Sequence, residues 1–322
     1  MVLREEIWRV LGFVGVLGAV YVSAGVVLHR RFLKRPRAPL TWRGRTVLAI
    51  AGAGVLCMAY GRFVEPRWLE VTTTRVPTAR LPAGHRGVRI VHLSDLHSIE
   101  TPLLEERLPG VVAELHPDLI VFTGDAANTP EGVVVFRRCL TELARIAPTF
   151  AVKGNWDAWY FPEIERFAGT GATELDSALA HVDVAGVQVH VAGAGFFDAV
   201  RGYFPALADL PKDGPAVMIC HPPYPDAVPA RYAPRIDLIC AGHTHGGQVA
   251  LPFYGALLTF SKYGKKYERG LCRTDEGMWM YVSRGIGMEG LQAPRVRFCS
   301  RPEVALIELV PAADTEAAPA TR

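Results

Sequence analysis

Apolar residues along the chain fall into two regimes. Near the N-terminus they form long unbroken runs: residues 10–28 carry no charge over 19 positions, and the glycine-rich run 46–61 extends to 64 if Arg62 snorkels towards an interface. At 1.5 Å per residue the first run approaches the roughly 30 Å of a bilayer's hydrocarbon core. Neither run shows an amphipathic stripe. Beyond residue 86 the apolar runs shrink to between three and six residues bounded by turn formers, at 88–93, 119–122, 150–152, 216–220, 236–240 and 278–282. Short runs of this kind predict buried strands. Between them, residues 131–146 bring Val134, Val135, Leu140, Leu143 and Ile146 towards one face of a helix. Strands alternating with helices predict a layered α/β domain.

These patterns divide the 322 residues. Residues 1–64 are expected to form a membrane anchor, with transmembrane helices at 10–28 and 46–64 and a basic loop at 29–45. Residues 65–85 mix proline, arginine and the run Thr72-Thr73-Thr74, which reads as a linker. Residues 86–310 form the folded domain, and 311–322, rich in alanine, threonine and acid, read as a disordered tail.

Charge orients the anchor. The loop region carries Arg30, Arg31, Lys34, Arg35, Arg37, Arg43 and Arg45 without one acidic residue, a concentration hidden by the net charge of +3. The positive-inside rule places that loop in the cytoplasm, hence the N-terminus and the folded domain outside it. If 46–61 lay in the interface, the domain would face the cytoplasm instead. A cleavable signal peptide fits poorly, because the first run lacks a clear basic n-region and a small-x-small cleavage site. Cys139, Cys220, Cys240, Cys272 and Cys299 are odd in number and contain no C-x-x-C, so no disulfide framework is legible.

The chemistry sits where the short apolar runs end. They lead into Asp95 and His97, Asp125, Asn155, His221, and His243 with His245. Alternate residues leaving a strand can point the same way, so Asp95 with His97, and His243 with His245, suit a shared cation. Carboxylate, amide oxygen and imidazole without thiolate favour manganese, iron or zinc over calcium. Two such cations about 3.5–4 Å apart can hold a hydroxide nucleophile and neutralise an in-line displacement at phosphorus. No side-chain base is then required.

The ordered series D-x-H, G-D, G-N, H, G-H-x-H, spread over residues 89–309, resembles the calcineurin-like metallophosphoesterase superfamily. Its bacterial membrane-associated or exported phosphohydrolases are the nearest branch, through C-A-G-H-T-H-G-G-Q at 240–248, S-R-G-I-G at 283–287 and Arg301-Pro302-Glu303-Val304. The resemblance implies a four-layer α/β/β/α sandwich. It implies that Asp95, His97 and His245 hold one metal, that Asn155, His221 and His243 hold the other, and that Asp125 bridges them. Asp125, Asn155 and His221 would act in catalysis through a metal-bridging hydroxide.

Trp156 departs from the pattern, since histidine usually follows the asparagine and assists the leaving group. An indole is no acid. Its N–H suits a phosphoryl oxygen and its ring a base or an acyl chain. Either the substrate has a good leaving group, as a phosphoanhydride does, or activity is weak. Asp157 reads as an outer carboxylate orienting a ligand, or as the N-cap of a helix beginning at Ala158. Arg284 and Lys153 are candidate phosphate contacts. His29, His85, His92, His116, His181 and His190 lack the strand-end context and read as structural.

The expected protein is thus a multi-pass enzyme of the bacterial plasma membrane, cleaving a phosphodiester or pyrophosphate with two divalent or trivalent metal ions. Its substrate is expected to be a phosphorylated small molecule or a lipid-linked, cell-envelope compound. A sharper alternative is a UDP-diacylglucosamine pyrophosphohydrolase of lipid A synthesis, which requires a cytoplasmic site; another is a non-catalytic metal-binding membrane scaffold. Phe253, Tyr254, Phe260 and Tyr263, interleaved with Lys262, Lys265 and Lys266, suit an anionic lipid surface or packing on their own domain. Phe196, Phe197, Tyr203 and Phe204 carry the same two readings. No basic stripe calls for a nucleic acid, and no protein partner is expected.

Overall fold

The structure is a computed structural model, and it describes residues 2–34, 39–290 and 294–315. Two apolar helices come first, α1 (Val2–His29) and α2 (Trp42–Phe63). Both are long and apolar enough to cross a membrane, and most of their side chains are exposed. They form a hairpin whose close approach needs glycine: a Cβ at Gly54 would come within 2.5 Å of the Tyr21 hydroxyl. Thr41 caps α2, its hydroxyl accepting from the Gly44 N–H at 3.2 Å. The basic stretch lies between them in sequence, and within it Arg35 and Arg37 lie outside the described residues.

The remaining chain forms two six-stranded sheets. The first contains β1 (Glu70–Thr78), β2 (Val88–Leu93), β3 (Leu119–Phe122), β4 (Thr149–Ala151), β5 (Thr173–Glu174) and the last strand, β14 (Glu303–Pro311), in the order β1-β14-β2-β3-β4-β5. The second contains β6 (Leu179–Val184), β7 (Val187–Ala194), β8 (Ala216–Cys220) and β9 (Leu238–Ala241), with β12 (Gly270–Arg273) and β13 (Trp279–Val282). Its order is β12-β13-β9-β8-β7-β6. A small ribbon pairs β10 (Ala250–Leu251) with β11 (Gly255–Ala256), and β14 (Glu303–Pro311) returns to the first sheet. Strands β2 to β5 are parallel, as are β7, β8, β9 and β13.

Three apolar layers account for the stacking. Val88, Ile90, Leu119 and Val121 of one sheet meet Val191, Val217, Ile219 and Leu238 of the other. The outer face of the first sheet packs Val91, Leu93, Ile120 and Phe122 against α3 (Leu108–Glu114) and α4 (Pro130–Ala144). The outer face of the second is covered by short helical turns around Phe204, Leu207 and Leu210. This is the α/β/β/α order.

Several boundaries move. Residues 65–85 are not simply a linker: nine of them, Glu70–Thr78, form β1, paired parallel to β14 along its whole length. The threonine run fits a half-exposed edge strand whose exposure alternates along its first six residues, because β-branched side chains suit a pleated surface. Within α4 the buried stripe is Val133, Phe136, Leu140 and Leu143, whereas Val134 is exposed. The expected stripe was one residue out of phase at its start. At the far end, Pro311 closes β14 and Ala312–Thr315 make one helical turn, while residues 316–322 of the expected tail lie outside the described residues.

Candidate active site

Parallel strands deliver side chains to their carboxyl ends, and five such ends meet here. β2 leads to Asp95 and His97, β3 to Asp125, β4 to Asn155, β8 to His221, and β9 to His243 and His245. Asp95, His97, Asp125, His243 and His245 all have positive φ, between 42° and 73°. That left-handed backbone is sparsely populated for residues with side chains and persists only where surroundings impose it. Gly124 makes the crossing possible. A Cβ there would stand 2.7 Å from the Gly154 Cα and 2.9 Å from the His221 ring.

All seven candidate ligands come together. His97 Nε2 lies 3.1 Å from His245 Nε2, and His245 Nε2 lies 3.3 Å from Asp95 Oδ1. On the other side, Asn155 Oδ1 is 2.9 Å from both His221 Nε2 and His243 Nδ1, which are 3.2 Å from each other. Asp125 Oδ2 sits between the two groups, 3.5 Å from His97 Nε2 and 3.3 Å from His221 Nε2.

The tautomers show why these contacts call for cations. His97 Nδ1 donates to Asn128 Oδ1 at 2.6 Å, and His221 Nδ1 donates to the Thr123 carbonyl at 2.7 Å. His243 Nε2 faces the Phe260 carbonyl at 3.3 Å. With those protons placed outward, the neutral His97 and His243 rings turn lone pairs inward, and His221 does the same once its second proton is displaced, so His221 and His243 would then face each other acceptor to acceptor. A cation about 2.0–2.2 Å from each nitrogen or oxygen resolves such an arrangement, since its ligands then stand about 3 Å apart. Two cations fit the seven residues.

A second layer holds the first. Ser94 donates to Asp95 Oδ2 at 2.5 Å. Asn128 is itself fixed by donating to the Met288 carbonyl at 3.0 Å. Asp157 accepts from the N–H groups of Asp125, Ala126 and Gly154 at 2.8, 3.1 and 2.9 Å. Its carboxylate also contacts the buried Arg166 guanidinium at 2.9 Å. Asp157 therefore ties the Asp125 loop to the Asn155 loop. The alternative as N-cap of a helix from Ala158 does not hold, because the helical turn α5 (Asn155–Trp159) already begins at Asn155.

Burial dominates the electrostatics. It pushes the Asp95 carboxyl up to about 7 and the His97 and His243 imidazoles down to about 4, with His245 well below its usual value. Histidines kept neutral are available as ligands. Burial opposes the Asp125 carboxylate too, but His221 outweighs it and holds Asp125 low. Burial also opposes the His221 imidazolium, but Asp125 and Asp95 outweigh it and raise it to about 9, so without cations the cluster's positive charge is a proton on His221, which bound cations would replace.

Trp156 is buried, with its backbone N–H donating to Asp125 Oδ1 at 2.8 Å. Its ring meets His97 edge to face at 5.2 Å and stacks on Tyr160 at 4.6 Å. Its indole N–H is directed to Glu289 Oε1 at 3.3 Å rather than into open space. Both cationic candidates are committed elsewhere. Arg284 pairs with Glu70 at 2.8 Å and Glu303 at 3.1 Å, and Lys153 pairs with Glu174 at 2.8 Å. Neither is free to meet a phosphate in this arrangement.

A cavity of about 270 Å³ opens over the cluster, lined by Asp125, Asn155, His243, Trp159, Phe196 and Glu289 among others. Phe196 stands 6.2 Å from the His221 ring, whereas Phe204 belongs to the core. Of the lysines interleaved with aromatics, Lys262 pairs with Asp226 and Lys266 with Asp275. Asn128, Arg166 and Glu289 carried no signal in sequence: each acts through a partner more than 25 residues away except Arg166, which lies in an irregular turn.

Residues 88–247 match the calcineurin-like phosphoesterases. An uncharacterised metallophosphoesterase of Bacillus subtilis, YkuE, is 31% identical over 87% of this chain and 97% of its own length. The chain belongs to the calcineurin-like phosphoesterase family. Phosphodiesterase YaeI of Escherichia coli is 28% identical over 88% of this chain and all of the relative. A Chlamydia trachomatis relative named UDP-2,3-diacylglucosamine pyrophosphatase LpxG is 26% identical over 81% and 95%. This calcineurin-like phosphoesterase is a phosphoester hydrolase, which removes the non-catalytic scaffold from consideration.

Proposed function

We propose that the chain is a membrane-anchored phosphohydrolase that uses two cations to cleave a phosphodiester or pyrophosphate bond in a lipid-linked substrate. The observation that carries this reading is Asp125 Oδ2, lying between His97 and His221 and so between two sets of inward lone pairs. Asp95, His97 and His245 would hold one cation, Asn155, His221 and His243 the other, and Asp125 both. Manganese, iron and zinc suit this donor set. When bound, the two ions supply the nucleophile and the positive charge that displacement at phosphorus needs.

The chain's own residues contribute placement and exclusion of water. Asn128 and the Thr123 carbonyl fix the ring orientations, and Asp157 fixes the loops. Trp156 closes the floor beside His97 without offering an acidic proton. A substrate with a good leaving group, such as a phosphoanhydride, suits that floor.

The hairpin returns α2 to the folded domain, so the domain and the start of α1 share one side of the membrane and the basic stretch takes the other. With the positive stretch in the cytoplasm, the active site faces outward. Similarity to the relative named LpxG favours the second reading, a UDP-diacylglucosamine pyrophosphohydrolase, which needs the opposite orientation. A periplasmic reporter fused after Arg322 separates them: activity supports the outward site, and silence supports the inward one.

The direct test is manganese-dependent hydrolysis by the full chain in nanodiscs, using a soluble aryl phosphodiester and a lipid pyrophosphate. Asp125→Asn should reduce turnover by more than the roughly 10–100-fold typical of outer-layer changes. Turnover that survives Asp125→Asn would sink the proposal.

A further inference from the structure

A second cavity, of about 290 Å³, lies beside the first. One wall is the first membrane helix, through Val10, Phe13 and Val14; the facing wall is Leu257, Leu258 and Phe260. Its polar lining includes Thr244, Gln248, His245 and Glu289. His245, Phe260 and Glu289 also line the cavity over the metal ligands, so the two spaces adjoin. The result is a trough with ligand chemistry at one end and a membrane helix along the other.

The helix is held in that position by an unusual contact. Glu6 is wholly buried, and its two oxygens accept from the Thr259 hydroxyl at 2.7 Å and the Thr259 N–H at 3.2 Å. A carboxylate buried beneath an apolar helix is costly unless hydrogen-bonded. Here the bonds fix α1 to the loop whose next residue, Phe260, presents its carbonyl to His243. At 1.5 Å per residue, Val10 to Val14 lie about 6–12 Å further along the helix than Glu6, towards the centre of the span. Trp8 and Trp68, both exposed, stand at the domain ends of α1 and α2, and exposed Trp42 at the opposite end of α2. Tryptophans in those places mark the two interfaces of a bilayer. The trough thus begins at the domain-side interface and continues along α1 into hydrocarbon.

We propose that this trough receives the hydrocarbon chain of a membrane amphiphile whose phosphoester lies at the metal ligands. The inference rests on the phosphohydrolase reading and narrows its substrate to one that enters sideways from the bilayer. The occupant is an alkyl chain because the walls are apolar, one wall is itself a membrane helix, and the polar lining adjoins the site of phosphoester chemistry. A chain leaving along α1 passes from protein to lipid without crossing water, which avoids the cost of exposing it.

The test compares two substrates of the full chain in nanodiscs: a soluble aryl phosphodiester and an undecaprenyl-type or diacyl pyrophosphate. Val14→Trp fills the trough from the helix side and Leu258→Trp from the domain side. Each should lower the ratio of kcat/KM for the long-chain over the soluble substrate by tenfold or more. Val16→Trp, exposed on the same helix and outside the trough, should keep the wild-type ratio. Within a homologous series of water-soluble short-chain esters added from solution, the wild type should gain up to roughly threefold to fourfold per methylene until the trough is full. Both filling variants should flatten that gain. An unchanged ratio in both, or an equal fall with Val16→Trp, overturns the trough while leaving the hydrolase intact. Absence of any Asp125-dependent turnover instead overturns the hydrolase reading on which it rests.

Discussion

Asp157 shows how much of the site depends on a residue that holds no ion. Its carboxylate accepts three backbone N–H groups from two loops and meets Arg166, all inside the protein. Asp157→Asn puts an amide N–H₂ against donors and leaves the buried guanidinium without its counter-charge. Manganese affinity measured by calorimetry should fall about 10–100-fold; unchanged affinity would show that the loops hold themselves. Trp156 permits a second prediction at this scale. Trp156→His supplies an acid beside Glu289, so turnover of alkyl diesters should rise relative to anhydrides by up to about 10²-fold. An unchanged ratio would remove leaving-group chemistry as the meaning of the tryptophan. The seven candidate ligands that the fold brings together were legible because each follows a short apolar run, a local signal. Asn128 and Glu289 were not, since what makes them matter is a ring or indole 31 and 133 residues away.

Among the elements, β1 carries the lesson about local pattern. Prolines and a threonine run suggested a linker, yet Thr72 donates to the buried Glu303 at 2.9 Å, and Tyr281 of the other sheet does the same at 2.9 Å. Pairing with β14, far along the chain, decides the conformation and leaves no mark near residue 72. The β6–β7 hairpin was invisible for a related reason: its turn, Ala185-Gly186, takes positive φ at both positions, where alanine is a poor signal. Glu303 permits a pH prediction. Burial alone would raise its carboxyl, but Arg284 and the hydroxyl donors outweigh it, so the folded value lies below the ordinary 4.5. A depressed carboxyl contributes stability above the unfolded value that is lost as pH falls through the folded one. The melting temperature of the wild type should therefore fall more steeply below about pH 4.5 than that of Glu303→Gln. At neutral pH the variant should be less stable by up to about 3–5 kcal/mol. Parallel pH profiles would contradict the assignment.

The whole molecule is joined at the same places that build the site. Both sheets end on one cluster, so cations bound there tie the two halves of the sandwich together. Chelation should lower the melting temperature of the full chain, and added manganese should restore it. At a metal concentration 100 to 1,000 times Kd the gain is about 2.7–4.1 kcal/mol. A melting curve indifferent to chelator would argue against resident ions. The two long apolar helices were legible from hydropathy, but their attachment to the folded domain was not. Glu65 accepts from the Cys299 and Ser300 N–H groups at 3.0 and 2.6 Å, and the Gly61 carbonyl accepts from Arg297 at 2.9 Å. A side chain at Gly61 would press on the Arg297 carbonyl at 2.9 Å.

In the proposed membrane arrangement, that junction together with the Glu6 pin leaves no tether between anchor and enzyme. Without slack, the active site rides at one fixed height above its own leaflet. Substrate in a neighbouring vesicle is then out of reach, and encounters depend on surface density within the shared bilayer instead of bulk concentration.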